Sequence, residues 1–187
     1  MPELPEVETI AGNLRRGTDG APSLIGQTIQ SVHLFWLRTL AEPDLETFQA
    51  LLPGQKILEI GRRAKFLVFT LSQSQLVIHL RMSGDLRVEP SDIPVQTHDR
   101  MVLDFASAWR LCFNDTRKFG RVWLLNDTNA LFAALGPEPD DPALTPSRFH
   151  EMLQARKRAI KPLLLDQTFI AGLGNIYTDE ALFRAGI

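Results

Sequence analysis

A proline and two carboxylates that could act together in covalent catalysis stand at the start of the chain, in MPELPEVET. Methionine before a small residue is commonly removed, which would leave the nitrogen of Pro2 as a free secondary amine. An α-amino group has a pKa of about 8, so part of it is neutral at physiological pH and can attack an electrophilic carbon. Glu3 could then pass protons, and Glu6 could hold a water or stabilise positive charge. The alternative is a helix start, where carboxylates favour the positive end of the helix dipole.

Basic residues are concentrated in three short clusters, at 62–65, 117–121 and 156–161, although the net charge is only -2. A net charge near zero does not by itself indicate a nucleic-acid partner. Local clusters of this kind can nevertheless bind phosphates on a weakly acidic protein. The alternative for any single cluster is ordinary solvated surface charge.

The first two thirds of the sequence predict a helix followed by many short strands. Apolar residues recur at helical spacing from Pro5 to about Arg16, and 44–52 is a candidate second helix. The predicted strands are 29–37, 56–60, 66–71, 75–80, 101–105, 109–113 and 121–125. Short strands at this spacing are typical of a sandwich or barrel. We predict an α+β fold.

The remaining third predicts a linker and a small helical region. The stretch GPEPDDPALTP at 136–146 is rich in proline and acids and indicates a linker. Thr145 or Ser147 could cap a helix that runs to about Arg156. A turn region at FIAGLGN and a last helix through TDEALFRA follow.

Composition excludes several classes of protein. Hydrophobic residues make up 44% of the chain, enough for a packed core, and the single cysteine allows neither a disulfide framework nor a cysteine cluster for zinc. No apolar run approaches the ~18 residues of a membrane span, and acids stand where a signal peptide has bases. We expect a cytoplasmic protein without a membrane partner.

Several separated motifs, in order, resemble the formamidopyrimidine-DNA glycosylase family, which removes oxidised bases from DNA. They are MPELPEVET, RRAKF (62–66), HLRMSG (79–84), THD (97–99), DTRKFGR (115–121), LGPEP (135–139), AIKPLLLDQ (159–167) and AGLGNIYTDEALFRAGI (171–187). The resemblance implies an N-terminal catalytic β-sandwich with flanking helices at 1–126, a hinge at 127–146, and a partial helical domain with a helix–two-turn–helix motif at 147–187. It implies double-stranded DNA with an oxidised base as the partner, a monomer, and a place in the bacterial cytosol.

The resemblance also implies a mechanism. Pro2 is the nucleophile that forms an imine with the sugar of a flipped-out nucleotide, Glu3 transfers protons, Glu6 is a supporting carboxylate, and Lys65 is the proton donor in β-elimination. The implied activity is a bifunctional glycosylase and lyase of base excision repair that acts on 8-oxoguanine and formamidopyrimidines. The alternatives are the endonuclease VIII type, which acts on oxidised pyrimidines, and a DNA-binding module without turnover.

Further residues match DNA-contacting positions of the family. Met82, Arg117 and Phe119 match the wedge that fills the gap left by the flipped base, and Arg117 can also hydrogen-bond the orphaned partner base. The residues that match phosphate-binding positions are His79, His98, Arg156, Lys161 and Asn175. Family members usually continue into a zinc finger, which this chain is expected to lack. No metal or cofactor is therefore predicted. The sequence does not predict whether this chain binds DNA tightly or carries out δ-elimination.

Overall fold

The computed structural model describes residues 1–18 and 20–187. The chain divides into two compact units, Met1–Thr128 and Asn129–Ile187. The finer predicted division into a domain at 1–126, a hinge at 127–146 and a domain at 147–187 stays a prediction. Within the second unit, the N–H of Gly136 donates to the carbonyl of Gln167 at 2.9 Å, so this part of the proline-rich stretch is hydrogen-bonded.

The described residues of the first unit form two α-helices and two sheets. Its elements in chain order are α1 (Leu4–Arg16), β1 (Ile29–Leu34), β2 (Leu40–Glu42), α2 (Leu45–Leu51), β3 (Ile57–Arg63), β4 (Phe66–Leu71), β5 (Gln75–His79), β6 (Gly84–Pro90), β7 (Asp99–Phe105), β8 (Trp109–Asp115) and β9 (Arg121–Leu125). One sheet has the order β1-β7-β8-β6, and the other has the order β2-β9-β5-β4-β3. The pairs are antiparallel except for the parallel pair of β2 and β9.

A single core joins the two sheets and α1. Phe69 of one sheet and Phe105 and Phe113 of the other belong to it, together with Val7 of α1, and all four are at most 1% exposed. Burial of an aromatic side chain of this size stabilises the fold by roughly 1.5–3 kcal/mol. The arrangement confirms the predicted α+β class with an N-terminal β-sandwich.

Helix α1 begins where the sequence predicts. A capping box joins Glu3 and Glu6 at its first turn, where Pro5 fits because its nitrogen needs no intrahelical partner. The helix ends at Gly17, which has a φ of 77°. Its buried residues include Val7, Ala11 and Leu14, at the spacing of one helix face.

Strand β6 is absent from the sequence prediction. Its sequence, GDLRVEP, has only two large aliphatic residues, Leu86 and Val88, and contains glycine, aspartate and proline, which are depleted in strands. Pairing with β8 along its whole length, from Gly84 opposite Asp115 to Pro90 opposite Trp109, makes it a strand. The predicted strand at 29–37 also ends earlier, at Leu34, because Leu37–Thr39 form a 3-10 turn.

The second unit is helical among its described residues. It contains α3 (Asn129–Phe132), α4 (Pro146–Gln154), α5 (Ile160–Leu164) and α6 (Asn175–Arg184) around a small core of Leu163, Leu164, Phe169 and Ile170. Thr145 is the N-cap of α4, and its hydroxyl accepts from the N–H of Arg148 at 3.2 Å. Helix α6 begins at Asn175, earlier than the predicted TDEALFRA.

Candidate active site and nucleic-acid interface

The N-terminal carboxylates occupy different environments. Glu3 is only 2% exposed, whereas Glu6 is on the surface. The N–H of Glu3 donates to Oε2 of Glu6 at 2.9 Å, so the second carboxylate fixes the backbone of the first. Pro2, which precedes them, is partly buried. The helix start therefore fixes the backbone of Glu3, the residue that follows Pro2.

Lys65 lies in the tight turn between β3 and β4. Ala64 takes a left-handed φ of 51° there, and Lys65 is 5% exposed. Burial lowers the pKa of the Lys65 amine from its usual value, and the negative charge of Glu3 partly opposes that shift. The structure thus places the amine within electrostatic reach of Glu3. A lysine with a lowered pKa gives up a proton more readily, which suits an acid–base role.

His79 ends β5, opposite Phe66 of β4, and its ring meets the Phe66 ring edge-on at 4.6 Å between centroids. Burial lowers the pKa of the imidazole to about 3, and the positive charges of Arg81 and Lys65 add to the effect. Nδ1 accepts from the N–H of Arg81 at 3.0 Å. Because Nδ1 is the acceptor, the neutral ring carries its proton on Nε2 and offers it as a hydrogen-bond donor.

The three predicted wedge residues lie on two neighbouring loops. Met82 belongs to the loop between β5 and β6 and is 44% exposed, and Phe119 belongs to the loop between β8 and β9 and is 51% exposed. The guanidinium of Arg117 lies 4.9 Å from the centroid of the Phe119 ring. Large apolar side chains this exposed are not part of the core, so they are available to a partner.

The wedge loops border an open groove of about 750 Å³ in the first unit. Its lining includes Met1 together with Met82, Arg117 and Phe119. The other residues that line the groove are Trp36, Arg38, Arg81, Lys118 and Arg121. The structure therefore brings the start of the chain and the wedge residues to one surface, which carries a concentration of positive charge.

A backbone hydrogen bond connects His98 to Asp115, the residue at the start of one wedge loop. The carbonyl of His98 accepts from the N–H of Asp115 at 2.9 Å, and Nδ1 of His98 lies 3.1 Å from Nη2 of Arg100. Arg100 is 7% exposed, while the His98 ring is on the surface. A buried arginine thus orients an exposed histidine.

The other predicted phosphate ligands belong to the second unit. Arg156 is exposed after the end of α4, and Asn175 is the exposed first residue of α6. Lys161 of α5 forms an ion pair with Asp179 of α6 at 2.7 Å. The structure therefore brings Lys161 to α6, where a carboxylate competes for its charge.

Part of the first basic cluster has a structural role. Arg62 donates to Glu8 at 3.1 Å, its side chain is 7% exposed, and Arg15 also pairs with Glu8. These contacts connect α1 to β3. Charge patterning alone did not separate Arg62 from Lys65 within the cluster, whereas the family resemblance singled out Lys65.

Two further residues of this surface, Asp115 and Ser83, were not predicted from the sequence, and Lys118 was predicted only as a member of the basic cluster at 117–121. Asp115 is buried between the two wedge loops, and Ser83 hydrogen-bonds to it at 2.5 Å. The ammonium of Lys118 lies 4.1 Å from the ring centroid of Trp36. Asp115 and Lys118 stand within the DTRKFGR motif, and Ser83 within HLRMSG. For Asp115 and Ser83, only neighbouring residues carried a chemical signal.

A group of Glu89, Asp99 and Cys112 has ligand atoms within 4.8 Å of one another, but it does not suit a metal. Arg110 Nη2 lies 2.5 Å from Glu89, and Arg87 Nη2 lies 3.2 Å from Asp99. Two guanidinium groups therefore already neutralise the carboxylates. Burial also raises the pKa of the Cys112 thiol to about 12, which disfavours the thiolate that a metal requires.

In the described part of the chain, no helix has the length and apolar character needed to cross a membrane. The expectation that this chain needs no cofactor stays a prediction.

Comparison with known proteins finds a matching family model for each part of the chain. The family model described as Formamidopyrimidine-DNA glycosylase N-terminal domain matches residues 1–122, and that described as Formamidopyrimidine-DNA glycosylase H2TH domain matches residues 135–187. The formamidopyrimidine-DNA glycosylase of Protochlamydia amoebophila (strain UWE25) is 45% identical over 186 residues, which are 99% of this chain and 66% of that protein.

Two crystal structures of wild-type Lactococcus lactis Fpg are also similar. One is a complex with DNA containing N7-benzyl-Fapy-dG, and the other is a complex with DNA containing an oxidised pyrimidine. Each has a TM-score of 0.89 and 37% sequence identity and covers 100% of this chain, which spans 68% and 69% of the two solved chains. The chain thus spans about two thirds of the length of its relatives. Since family models match both of its units, this chain belongs to the formamidopyrimidine-DNA glycosylase family.

Proposed function

We propose that this protein is a DNA repair enzyme that removes oxidised purines from double-stranded DNA and then cuts the strand at the resulting site. The observation that carries the proposal is the groove of the first unit. The start of the chain opens onto the same basic surface as the exposed Met82, Arg117 and Phe119. A covalent nucleophile and a set of side chains that can enter a base stack are thereby within reach of one nucleotide.

The proposed chemistry begins with the nitrogen of Pro2 after removal of Met1. Its lone pair attacks C1′ of the sugar, the bond from C1′ to the base breaks, and the base leaves with that electron pair and takes a proton. The proline nitrogen then gives its proton to Glu3, and Glu3 passes it to O4′ as the C1′–O4′ bond breaks, which opens the sugar ring and leaves an iminium at C1′. Lys65 gives up a proton in the next step. The iminium acidifies C2′, loss of that proton expels the 3′ phosphate, and water then hydrolyses the imine to free the proline.

Base flipping requires the wedge. Extrusion of one nucleotide costs a few kcal/mol in lost stacking and pairing. In our proposal, Phe119 stacks at the kink, Met82 fills the gap, and Arg117 hydrogen-bonds the unpaired partner base. Their exposure in the free protein supports this role, since none of the three has to leave a core before it contacts DNA.

The proposal assigns phosphate contacts to both units. The neutral ring of His79 donates from Nε2, and His98, Arg156 and Lys161 add donors on the protein surface. Asn175 begins α6, where the positive end of the helix dipole favours anions. We further propose that the protein acts as a monomer on DNA in the bacterial cytosol.

Two other functions are supported by specific observations. Lactococcus lactis Fpg has been crystallised with DNA that contains an oxidised pyrimidine, which favours activity on pyrimidine lesions as a second candidate. The basic groove of the first unit is compatible with DNA binding alone, so a DNA-binding module without turnover is the third candidate.

Borohydride trapping on a duplex with 8-oxoguanine opposite cytosine tests the proposal. Borohydride reduces the imine to a stable amine, so a working enzyme yields a covalent protein–DNA band. Two preparations provide the sharpest comparison: one whose Met1 removal is confirmed by mass spectrometry, and one that retains an N-terminal extension. They differ in whether the nitrogen of Pro2 is an amine or an amide. Of these two preparations, we expect a covalent band only from the first. The variant Pro2→Gly is expected to give a weaker band than the parent.

The same assay separates the alternatives. Equal trapping on a thymine glycol duplex would favour the second candidate. Salt-sensitive binding without trapping, from protein with confirmed removal of Met1, would refute catalysis and favour the binding module. A band of equal strength from the N-terminally extended protein would show that another amine is the nucleophile.

A further inference from the structure

Asp115, at the end of β8, is a buried carboxylate to which the mechanism assigns no role. Its residue is 1% exposed. Oδ1 accepts from the hydroxyl of Ser83 at 2.5 Å and from the N–H of Arg117 at 3.1 Å. Oδ2 accepts from the N–H of Gly120 at 2.7 Å. One carboxylate therefore connects the loop that carries Met82 with both ends of the loop that carries Arg117 and Phe119.

Ser83 completes the connection between the loops. Its Oγ donates to Asp115 and also accepts from the N–H of Arg117 at 3.2 Å. The Arg117 N–H is thereby shared between a residue of its own loop region and a residue of the other loop. The Met82 loop cannot shift relative to the Arg117 loop without loss of at least one of these hydrogen bonds.

Gly120 shows how closely the second loop wraps around the carboxylate. A Cβ at this position would lie 2.2 Å from Cζ of Phe113 and 3.2 Å from Oδ2 of Asp115. Only glycine lets the backbone N–H approach the carboxylate this closely at the end of the loop. Gly84, after the Met82 loop, is similarly confined, since its Cβ would lie 2.4 Å from the carbonyl oxygen of Leu80.

A third segment meets the same residue. The carbonyl of Asp115 accepts from Nε of Arg100 at 2.7 Å, and its N–H donates to the carbonyl of His98 at 2.9 Å. The backbone of Asp115 therefore holds the His98 segment, while its side chain holds the two wedge loops. Hydrogen bonds to a buried charged group are stronger than those between neutral groups. Loss of one donor therefore leaves part of the carboxylate's charge uncompensated.

We propose that Asp115, acting through Ser83, is a positioning residue that makes the two wedge loops move as one unit. The Met82 and Phe119 side chains then enter the base stack together rather than in independent steps. This inference rests on the proposed function for its consequence in DNA. The coupling itself is a property of the free protein and can be measured without DNA.

Ser83→Ala is the primary test, because it removes the bridge and leaves the Asp115 carboxylate with its contacts to Arg117 and Gly120. Ser91→Ala is the matched control, since the Ser91 hydroxyl is buried without a hydrogen-bond partner. In the free protein, we expect amide hydrogen exchange at Arg117 to be about tenfold faster in Ser83→Ala and unchanged in Ser91→Ala. Equal exchange in all three proteins would overturn the coupling.

The consequence in DNA is tested with a duplex that carries a tetrahydrofuran abasic analogue beside 2-aminopurine, so that no chemical step is required. Stopped-flow fluorescence of 2-aminopurine reports unstacking. We expect the rise to be about tenfold slower in Ser83→Ala, the factor that about 1.4 kcal/mol supplies. Affinity for undamaged duplex should stay within about twofold.

A double-mutant cycle distinguishes coupling from general destabilisation. Met82→Ala, Phe119→Ala and their combination are compared in the parent and in the Ser83→Ala background. In the parent, we expect the decreases in unstacking rate caused by Met82→Ala and Phe119→Ala to be strongly non-additive. In the Ser83→Ala background, we expect the two fold-decreases to multiply. Non-additivity that persists without Ser83 would overturn the proposal. Failure of imine trapping with normal unstacking would refute the proposed catalysis and leave the coupling intact.

Discussion

His79→Gln is expected to flatten the pH dependence of the stability of the first unit between pH 7 and pH 5. Glutamine keeps an acceptor for the N–H of Arg81, which the imidazole Nδ1 accepts at 3.0 Å in the parent. It also keeps a donor at the end of the side chain, but it cannot be protonated. The substitution therefore removes the titration and preserves most of the hydrogen bonding.

The magnitude follows from proton linkage. Burial, with the nearby charges of Arg81 and Lys65, lowers the pKa of His79 from 6.5 to about 3 in the folded protein. As the pH falls below 6.5, the unfolded chain binds a proton at His79 that the folded protein does not bind. The folded state therefore loses stability relative to the unfolded state. Each pH unit in this window costs up to about 1.4 kcal/mol. Between pH 7 and pH 5, the expected loss from this one group is about 2 kcal/mol.

Urea unfolding followed by tryptophan fluorescence measures this loss in the right part of the molecule. The three tryptophans, Trp36, Trp109 and Trp123, all lie in the first unit. The difference in free energy of unfolding between pH 7 and pH 5 should be about 2 kcal/mol smaller in His79→Gln than in the parent. His33→Gln is the control, since the His33 side chain is 57% exposed and lacks the burial that penalises a charged ring.

The reasoning is refuted if His79→Gln and the parent lose equal stability between pH 7 and pH 5. Such a result would mean that the buried ring takes up its proton without cost. An NMR titration provides an independent check, because the His79 ring resonances should not shift between pH 7 and pH 5.

Three further outcomes are expected. Gly120→Ala should destabilise the first unit by about 1–3 kcal/mol in urea unfolding, because the new Cβ would lie 2.2 Å from an aromatic ring carbon. Cys112 should resist iodoacetamide at pH 8 in the folded protein and react fully in urea, because it is buried and its thiol pKa is raised to about 12. Asp179→Asn should raise affinity for duplex DNA by roughly two- to fivefold in fluorescence anisotropy, because it releases Lys161 from an exposed ion pair.

Each of these outcomes has a control or a contrary result. Gly61→Ala should change stability by less than about 0.5 kcal/mol, since nothing lies within 4 Å of its added Cβ. Glu180→Gln removes the same charge beside Asp179 and should raise affinity less than Asp179→Asn. Equal gains would show that only net charge matters. Labelling of Cys112 in the folded protein at the unfolded rate would contradict its burial.

Local patterns were sufficient for most elements of the first unit. Helix α1 and the strands at 66–71 and 121–125 were predicted close to their observed bounds, because helical spacing and runs of β-branched and aromatic residues act within a few neighbours. Strand β6 was missed because it depends on pairing with β8, a partner distant in sequence.

The sequence by itself determined the family, through motifs that stand in order along the whole chain, and it determined which residues are candidates for chemistry. Tertiary structure alone decided their environments. Arg62 and Lys65 are neighbours in one basic cluster, yet one pairs with Glu8 and the other is buried near Glu3. Asp115 had no signal in the sequence, because its role depends on two loops that meet only in the folded sandwich. Burial, charge proximity and hydrogen bonds between distant segments exist only after the chain has folded.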